Sequence, residues 1–208
     1  MPNIRPMAKR VFTIPNIITM LRILMIPVFT ILFLKGQLMA MLAVLFLSGM
    51  SDMMDGKIAR RYNQISDMGK WLDPTADKLT QITLAVLLFF GFHGSENETM
   101  RSFSWAFLIF LVKELLMLIV ALIMLILKKR PAAAEIYGKV ATTVFYIVVA
   151  LLFFAAPDVG LLIKYDIWAM PNWAVVVLTI ITLVLTIIAF ISYIPDTYRK
   201  VFNKEKKG

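Results

Sequence analysis

No cysteine occurs among the 208 residues, and there is a single histidine, His93. Disulfides, thiolate nucleophiles and cysteine-ligated metals are therefore excluded, as is any chemistry that needs a histidine pair. A G-x-x-x-x-G-K-[ST] phosphate loop is also missing, which argues against an ATP-driven pump. Charge is scarce: 17% of residues are charged while 60% are hydrophobic. A soluble domain of this length needs far more polar surface to cover its core. Near-continuous apolar stretches at 103–127, 140–156 and 172–194 have the length of bilayer-crossing helices. The expectation is an all-α integral membrane protein, a single domain over 1–208 with cytoplasmic tails at 1–11 and 197–208.

The charge that is present is basic, with a net value of +9. Its placement points to membrane topology and not to nucleic acid. Lys and Arg gather at 5–10, 57–70, 128–139 and 199–207, whereas the alternate loops hold only Lys35, Arg101 and Lys164. This alternation is the positive-inside pattern, and it predicts six spans with both termini in the cytoplasm of a cell (inner) membrane. The excess charge then serves topology and contact with anionic membrane lipids.

Spans are expected at about 20–35, 38–61, 70–92, 103–127, 138–156 and 172–194, preceded by an amphipathic juxtamembrane helix at 12–20. Arg22 within the first span and the lack of a small-residue cleavage site argue against a signal peptide. The second and third spans are unusual. Their uninterrupted apolar portions, Leu38–Met50 and Leu79–Phe92, each cover roughly 20 Å at 1.5 Å per residue, against a hydrocarbon core of roughly 30 Å. Both cross only if helix continues through the intervening stretch, "SDMMDGKIARRYNQISDMGKWLDPTADK" at 51–78.

That stretch holds five aspartates, and helical spacing organises four of them. Asp52, Asp55, Gly56, Ala59 and Arg60 share one face of the second span. Gly69, Asp73 and Asp77 share one face of the third, and Pro74 suits a helix that begins near Gly69 or Lys70. Two antiparallel helices joined by a short turn aim these four carboxylates at one another, at or just below the cytoplasmic membrane face. Acids so placed must face a bundle interior or a wet cavity, and they repel unless cations neutralise them. Oxygen donors without nearby Cys or His point to two divalent cations, Mg²⁺ or Mn²⁺, as used for displacement at phosphorus. Composition and spacing name no substrate.

The pattern Asp52-x-x-Asp55-Gly56-x-x-Ala59-Arg60, eight residues, then Gly69-x-x-x-Asp73-x-x-x-Asp77 resembles the signature of the CDP-alcohol phosphatidyltransferase family at every motif position. "IPNIITMLRILMIPVF" is similar to the opening of the family's bacterial phosphatidylglycerophosphate synthases, and the resemblance covers about residues 12–195. It implies transfer of a phosphatidyl group from CDP-diacylglycerol to an alcohol, with release of CMP. It implies that Asp52, Asp55, Asp73 and Asp77 hold the two metal ions and that Asp77 is the base for the acceptor hydroxyl. Gly56, Ala59, Arg60, Ser66 and Gly69 would line the CDP-diacylglycerol pocket. A homodimer is a further family-level expectation. Lys113, Lys139 and Arg22 are candidates for an acceptor phosphate at the cytoplasmic face, which favours glycerol 3-phosphate as acceptor. Two departures stand against that choice. The fourth span carries Lys113-Glu114 where those synthases are expected to have Arg-Glu, and Ala141 replaces a second lysine after Gly138-Lys139. Phosphatidylglycerol, the acceptor of cardiolipin synthases in the same family, is the alternative.

Blander readings stand beside these. Single acids at helix ends are often solvated or salt-bridged, Asp67 suits a turn or cap, and Gly56 or Gly69 suits close packing. Arg22, Lys113 and Lys139 serve equally well as snorkelling or topological charges, and Asn16 and Thr19 cap or anchor the first helix or, alternatively, act as ligands. The rival from another class is a divalent-cation transporter, which should carry acids or broken helices near mid-membrane in both halves.

Overall fold

The computed structural model describes the backbone of residues 13–61, 69–126 and 136–202, and side chains over the same ranges except 52–61, 70–71, 125, 136 and 196–202. The described residues are helical, without strands: α1 Ile14–Leu34, α2 Leu38–Arg61, α3 Gly69–His93, α4 Glu98–Phe103, α5 Trp105–Ile126, α6 Ile136–Ala155, α7 Leu161–Lys164 and α8 Asn172–Phe202. Five stretches, at 14–34, 72–93, 98–124, 137–155 and 172–195, are long and apolar enough to cross a membrane. The part of α2 with described side chains, Leu38–Ser51, is apolar but too short to cross alone. Its backbone runs on as helix to Arg61, as expected. The chain forms two compact units, Met1–Thr83 and Leu84–Gly208, with the division falling within α3.

In the first unit, α1 packs along α2. The expected lead-in at 12–20 is not a separate element, because from Ile14 it is already the opening of α1. Thr13 has extended dihedrals and its hydroxyl accepts from the Asn16 amide at 3.4 Å, while Pro15 supplies a preset φ where no amide hydrogen is needed. No breaker separates those first turns from the span. The helix ends at Gly36, whose φ of 66° only glycine adopts without strain, and the Gln37 amide reaches back to the Leu32 carbonyl at 2.8 Å. That reversal is what lays α2 against α1.

The second unit is held by aromatic and aliphatic packing. Phe92 stacks on Phe107 at 5.6 Å between centroids, and Phe110 meets Phe145 at 5.7 Å, so the end of α3, α5 and α6 share one core. α8 packs on α6 and on α5. The expected fourth span is broken near its start: Asn97 caps α4 through its side chain, and a turn at Ser104 separates α4 from α5. α8 outlasts the expected 172–194, running through Pro195 to Phe202, so positions 197–202 of the expected tail are helical. Residues 1–11 and 203–208, the rest of the tails, lie outside the described residues.

Candidate active site

α3 supplies the acids. It starts at a buried Gly69, so Asp73 stands about 6 Å and Asp77 about 12 Å along its axis, one turn apart on one face. Pro74, between them, is exposed and gives no amide to the Lys70 carbonyl, a loss tolerable so near the helix start. Both carboxylates are half-buried.

Each acid is steered by a neighbour. The Thr19 hydroxyl on α1 donates to Asp73 Oδ1 at 2.5 Å, and the Pro15 carbonyl lies 3.1 Å from the same hydroxyl. Gln81 Nε2, one turn beyond Asp77 on α3, donates to Asp77 Oδ2 at 3.2 Å. Thr19 is 0% and Gln81 5% exposed, so packing holds both donors in place. Thr19 belongs to a polar stripe on an otherwise apolar helix: Asn16, Thr19 and Arg22 are all buried. In a membrane helix such a stripe must face protein, since lipid offers polar groups no partner. The Thr19–Asp73 bond shows what one member of that stripe faces. It also sets the start of α1 beside the start of α3.

A carboxylate has about four acceptor sites, so one such bond orients it without using it up. The described donors at this end of α3 are oxygen-based, and His93 closes the helix's opposite end. Asp73 and Asp77 thus have the donor chemistry that hard divalent cations favour, and Thr19 and Gln81 orient their carboxylates. Among the described residues no three acids or histidines gather as a set. The expected partners Asp52 and Asp55 lie in α2, and their side chains, like that of Arg60, fall outside the described ones. Gly56 and Ala59 keep their helical spacing on α2, and Ser66 and Asp67 lie outside the described residues.

The acceptor candidates fall in different units, Arg22 in the first and Lys113 and Lys139 in the second. Arg22 is 3% exposed on the inner face of α1. Lys113, expected at the cytoplasmic face, sits about 12 Å along α5 and about 20 Å from its far end, well inside the span, where its ammonium pairs with the buried Glu114 carboxylate. Lys139 is exposed on α6, where its carbonyl accepts from the Thr143 hydroxyl at 2.9 Å. The cationic cluster at 128–130 lies outside the described residues. Sequence reasoning missed Gln81, and read Thr19 as a cap or anchor of the first helix or as a ligand, without naming Asp73 as its partner. The available signals were Gln81 four residues after Asp77, and three polar residues at three-residue spacing on α1.

Comparison with known proteins adds the chemical context. The model of a family described as CDP-alcohol phosphatidyltransferase matches residues 12–188. A cardiolipin synthase (CMP-forming) of Streptomyces coelicolor is 48% identical over 81 residues, covering 36% of this chain and 38% of that protein. A CDP-diacylglycerol–glycerol-3-phosphate 3-phosphatidyltransferase of Pseudomonas fluorescens is 41% identical over 85 residues, covering 39% and 43%. One of the same description from Blochmanniella floridana is 40% identical over 86 residues, covering 40% and 45%. The chain thus spans about two fifths of the length of the curated relatives it matches.

Proposed function

This chain belongs to the CDP-alcohol phosphatidyltransferase family, and from that premise we propose that it transfers a phosphatidyl group from CDP-diacylglycerol to an alcohol and releases CMP. The observation that carries the reading is the pair Asp73 and Asp77, one turn apart at the start of a membrane helix and each aimed by a buried donor. Acids at the end of a span meet a substrate whose acyl chains stay in lipid while its charged headgroup emerges. The motif's basic flank supports placing this end at the cytoplasmic face of the cell (inner) membrane.

In the proposed step the acceptor's hydroxyl oxygen bonds to the phosphatidyl phosphorus. The bond from that phosphorus to the bridging diphosphate oxygen breaks, and CMP leaves with the electron pair. Asp77 takes the hydroxyl proton, and Gln81 keeps its carboxylate turned to that task. Asp52, Asp55, Asp73 and Asp77 would hold two divalent cations, Mg²⁺ or Mn²⁺, with Thr19 fixing Asp73. When bound, such ions neutralise the diphosphate and stabilise charge on the leaving oxygen. Gly56, Ala59, Arg60, Ser66 and Gly69 are assigned to the cytidine diphosphate pocket, the small residues giving room beside the acids.

Glycerol 3-phosphate is the first reading of the acceptor. Of its three candidate ligands Arg22 is the strongest, since it is buried one turn from Thr19 within the unit that carries the acids. Phosphatidylglycerol is the second reading, favoured by the 48% identity to a protein named cardiolipin synthase. The test is purified protein in lipid–detergent micelles with labelled CDP-diacylglycerol, Mg²⁺ or Mn²⁺ and a panel of alcohols. The reading expects CMP release that depends on one acceptor, with the lipid product identified by mass. If no alcohol triggers CMP release while the same protein carries divalent ions into liposomes, the transporter reading replaces it.

A further inference from the structure

The connection from α6 to α8 is built, not slack. The Met170 amide donates to the Ala155 carbonyl at 2.7 Å, returning the chain to the end of the helix it left. The Asp166 and Ile167 amides close a tight turn on the Ile163 and Leu162 carbonyls, at 3.0 and 3.1 Å. The Ser95 hydroxyl, just past α3, donates to the Asp158 carboxylate at 2.6 Å, and Leu161 points inward at 3% exposure. A loop pinned at this many points dictates where its other side chains go: beside the exposed Lys164 and Asp166 it turns three large apolar side chains outward, and a fourth follows at the start of α8. Tyr165 is 58%, Ile167 67%, Trp168 54% and Trp173 70% exposed.

Large apolar side chains left in water forgo the free energy that burial supplies. A rigid loop that displays three of them, with Trp173 as a fourth in the first turn of α8, is therefore matched to a surface other than water. In the flanking spans Phe154 on α6 and Val177 on α8 are exposed as lipid-facing residues are. Tyrosine and tryptophan carry an apolar body and a polar tip, the combination that settles at headgroup depth. Lys164, exposed on α7, adds a cation suited to lipid phosphate. We propose that the segment from Leu161 to Trp173 is an interfacial anchor that lies in the headgroup–acyl boundary of the bilayer, its apolar face on lipid. It fixes the depth at which α6 and α8 enter the membrane. This inference does not rest on the phosphatidyl-transfer reading, and each can stand or fail alone.

The full chain has no native cysteine, so Ile167→Cys carrying a nitroxide is a unique reporter after reconstitution into phosphatidylcholine–phosphatidylglycerol vesicles. Glu96→Cys, exposed on the neighbouring loop, is the aqueous control. At position 167 collision with oxygen is expected to exceed collision with a water-soluble nickel chelate, at a depth of about 5–10 Å. The control should show the reverse. A label at 167 that behaves like the one at 96 overturns the proposal, and so does one shielded from both probes, which would mean protein cover. A second reporter guards against a misfolded variant. With Trp71, Trp105 and Trp173 replaced by Phe, Trp168 should be quenched by lipids brominated near the headgroup. Quenching by aqueous iodide as strong as that of free tryptophan would refute the anchor.

Discussion

Removing one methyl-sized oxygen tests the assignment of Thr19. Thr19→Val keeps the shape of a side chain that is 0% exposed and deletes the hydroxyl that reaches Asp73 Oδ1 at 2.5 Å. A hydrogen bond to a charged group contributes about 1.5–3 kcal/mol, which converts to a loss of about 10- to 150-fold in the quantity that depends on it. That quantity is the Asp73 carboxylate's readiness to take a cation, and outer-shell partners of metal ligands commonly change affinity or activity by about 10–100-fold. The assay is CMP release as a function of Mn²⁺ concentration, alongside thermal unfolding in detergent. The variant should need more Mn²⁺ and turn over more slowly, with little change in melting temperature. Thr19→Ser, which restores the donor, should recover most of the activity. A valine variant with an unchanged Mn²⁺ dependence would show that Thr19 merely fills space, and the steering argument would fall.

Asp77→Asn should abolish turnover while donor binding, measured with a CDP analogue, persists in part, because a base and one ligand are lost but the remaining acids stay. Full activity in that variant would take Asp77 out of the mechanism. Chelation of divalent ions should stop CMP release, and re-addition of Mg²⁺ or Mn²⁺ but not of Na⁺ should restore it; activity that persists in excess chelator would contradict the cation assignment. Gly160→Ala should destabilise the fold by about 1–3 kcal/mol, since its Cβ would stand 2.7 Å from the Ala156 amide nitrogen and against the Ala156 carbonyl. Gly94→Ala, whose Cβ meets nothing nearer than 3.5 Å, is the matched control in thermal unfolding.

The helices through the acidic stretch were legible because hydrocarbon thickness is unforgiving. Two apolar runs of about 20 Å cannot cross about 30 Å, so α2 and α3 had to continue, and their backbones do so to Arg61 and from Gly69. The start of α1 was set too late because apolar counting begins where polar residues thin out. The real boundary is marked by Thr13 and Pro15, whose signal is local capping chemistry. Lys113 was expected at the cytoplasmic face because a cation suggests an interface, and it stands about 12 Å along α5. Its ion pair with the adjacent Glu114 lets it remain inside the span. What no one-dimensional pattern could reveal was the Thr19–Asp73 bond, formed across 54 positions by the packing of two helix starts. Periodicity told which face of α1 is polar, but not which acid it meets.

The most direct test of the central claim is the count of Mn²⁺ ions bound by the protein with CDP present, read by electron paramagnetic resonance on detergent-solubilised full chain. The account predicts two ions per chain, close enough to couple magnetically, with the coupled signal lost in both Asp55→Asn and Asp73→Asn. A single uncoupled ion, or a coupled pair indifferent to those substitutions, would contradict it.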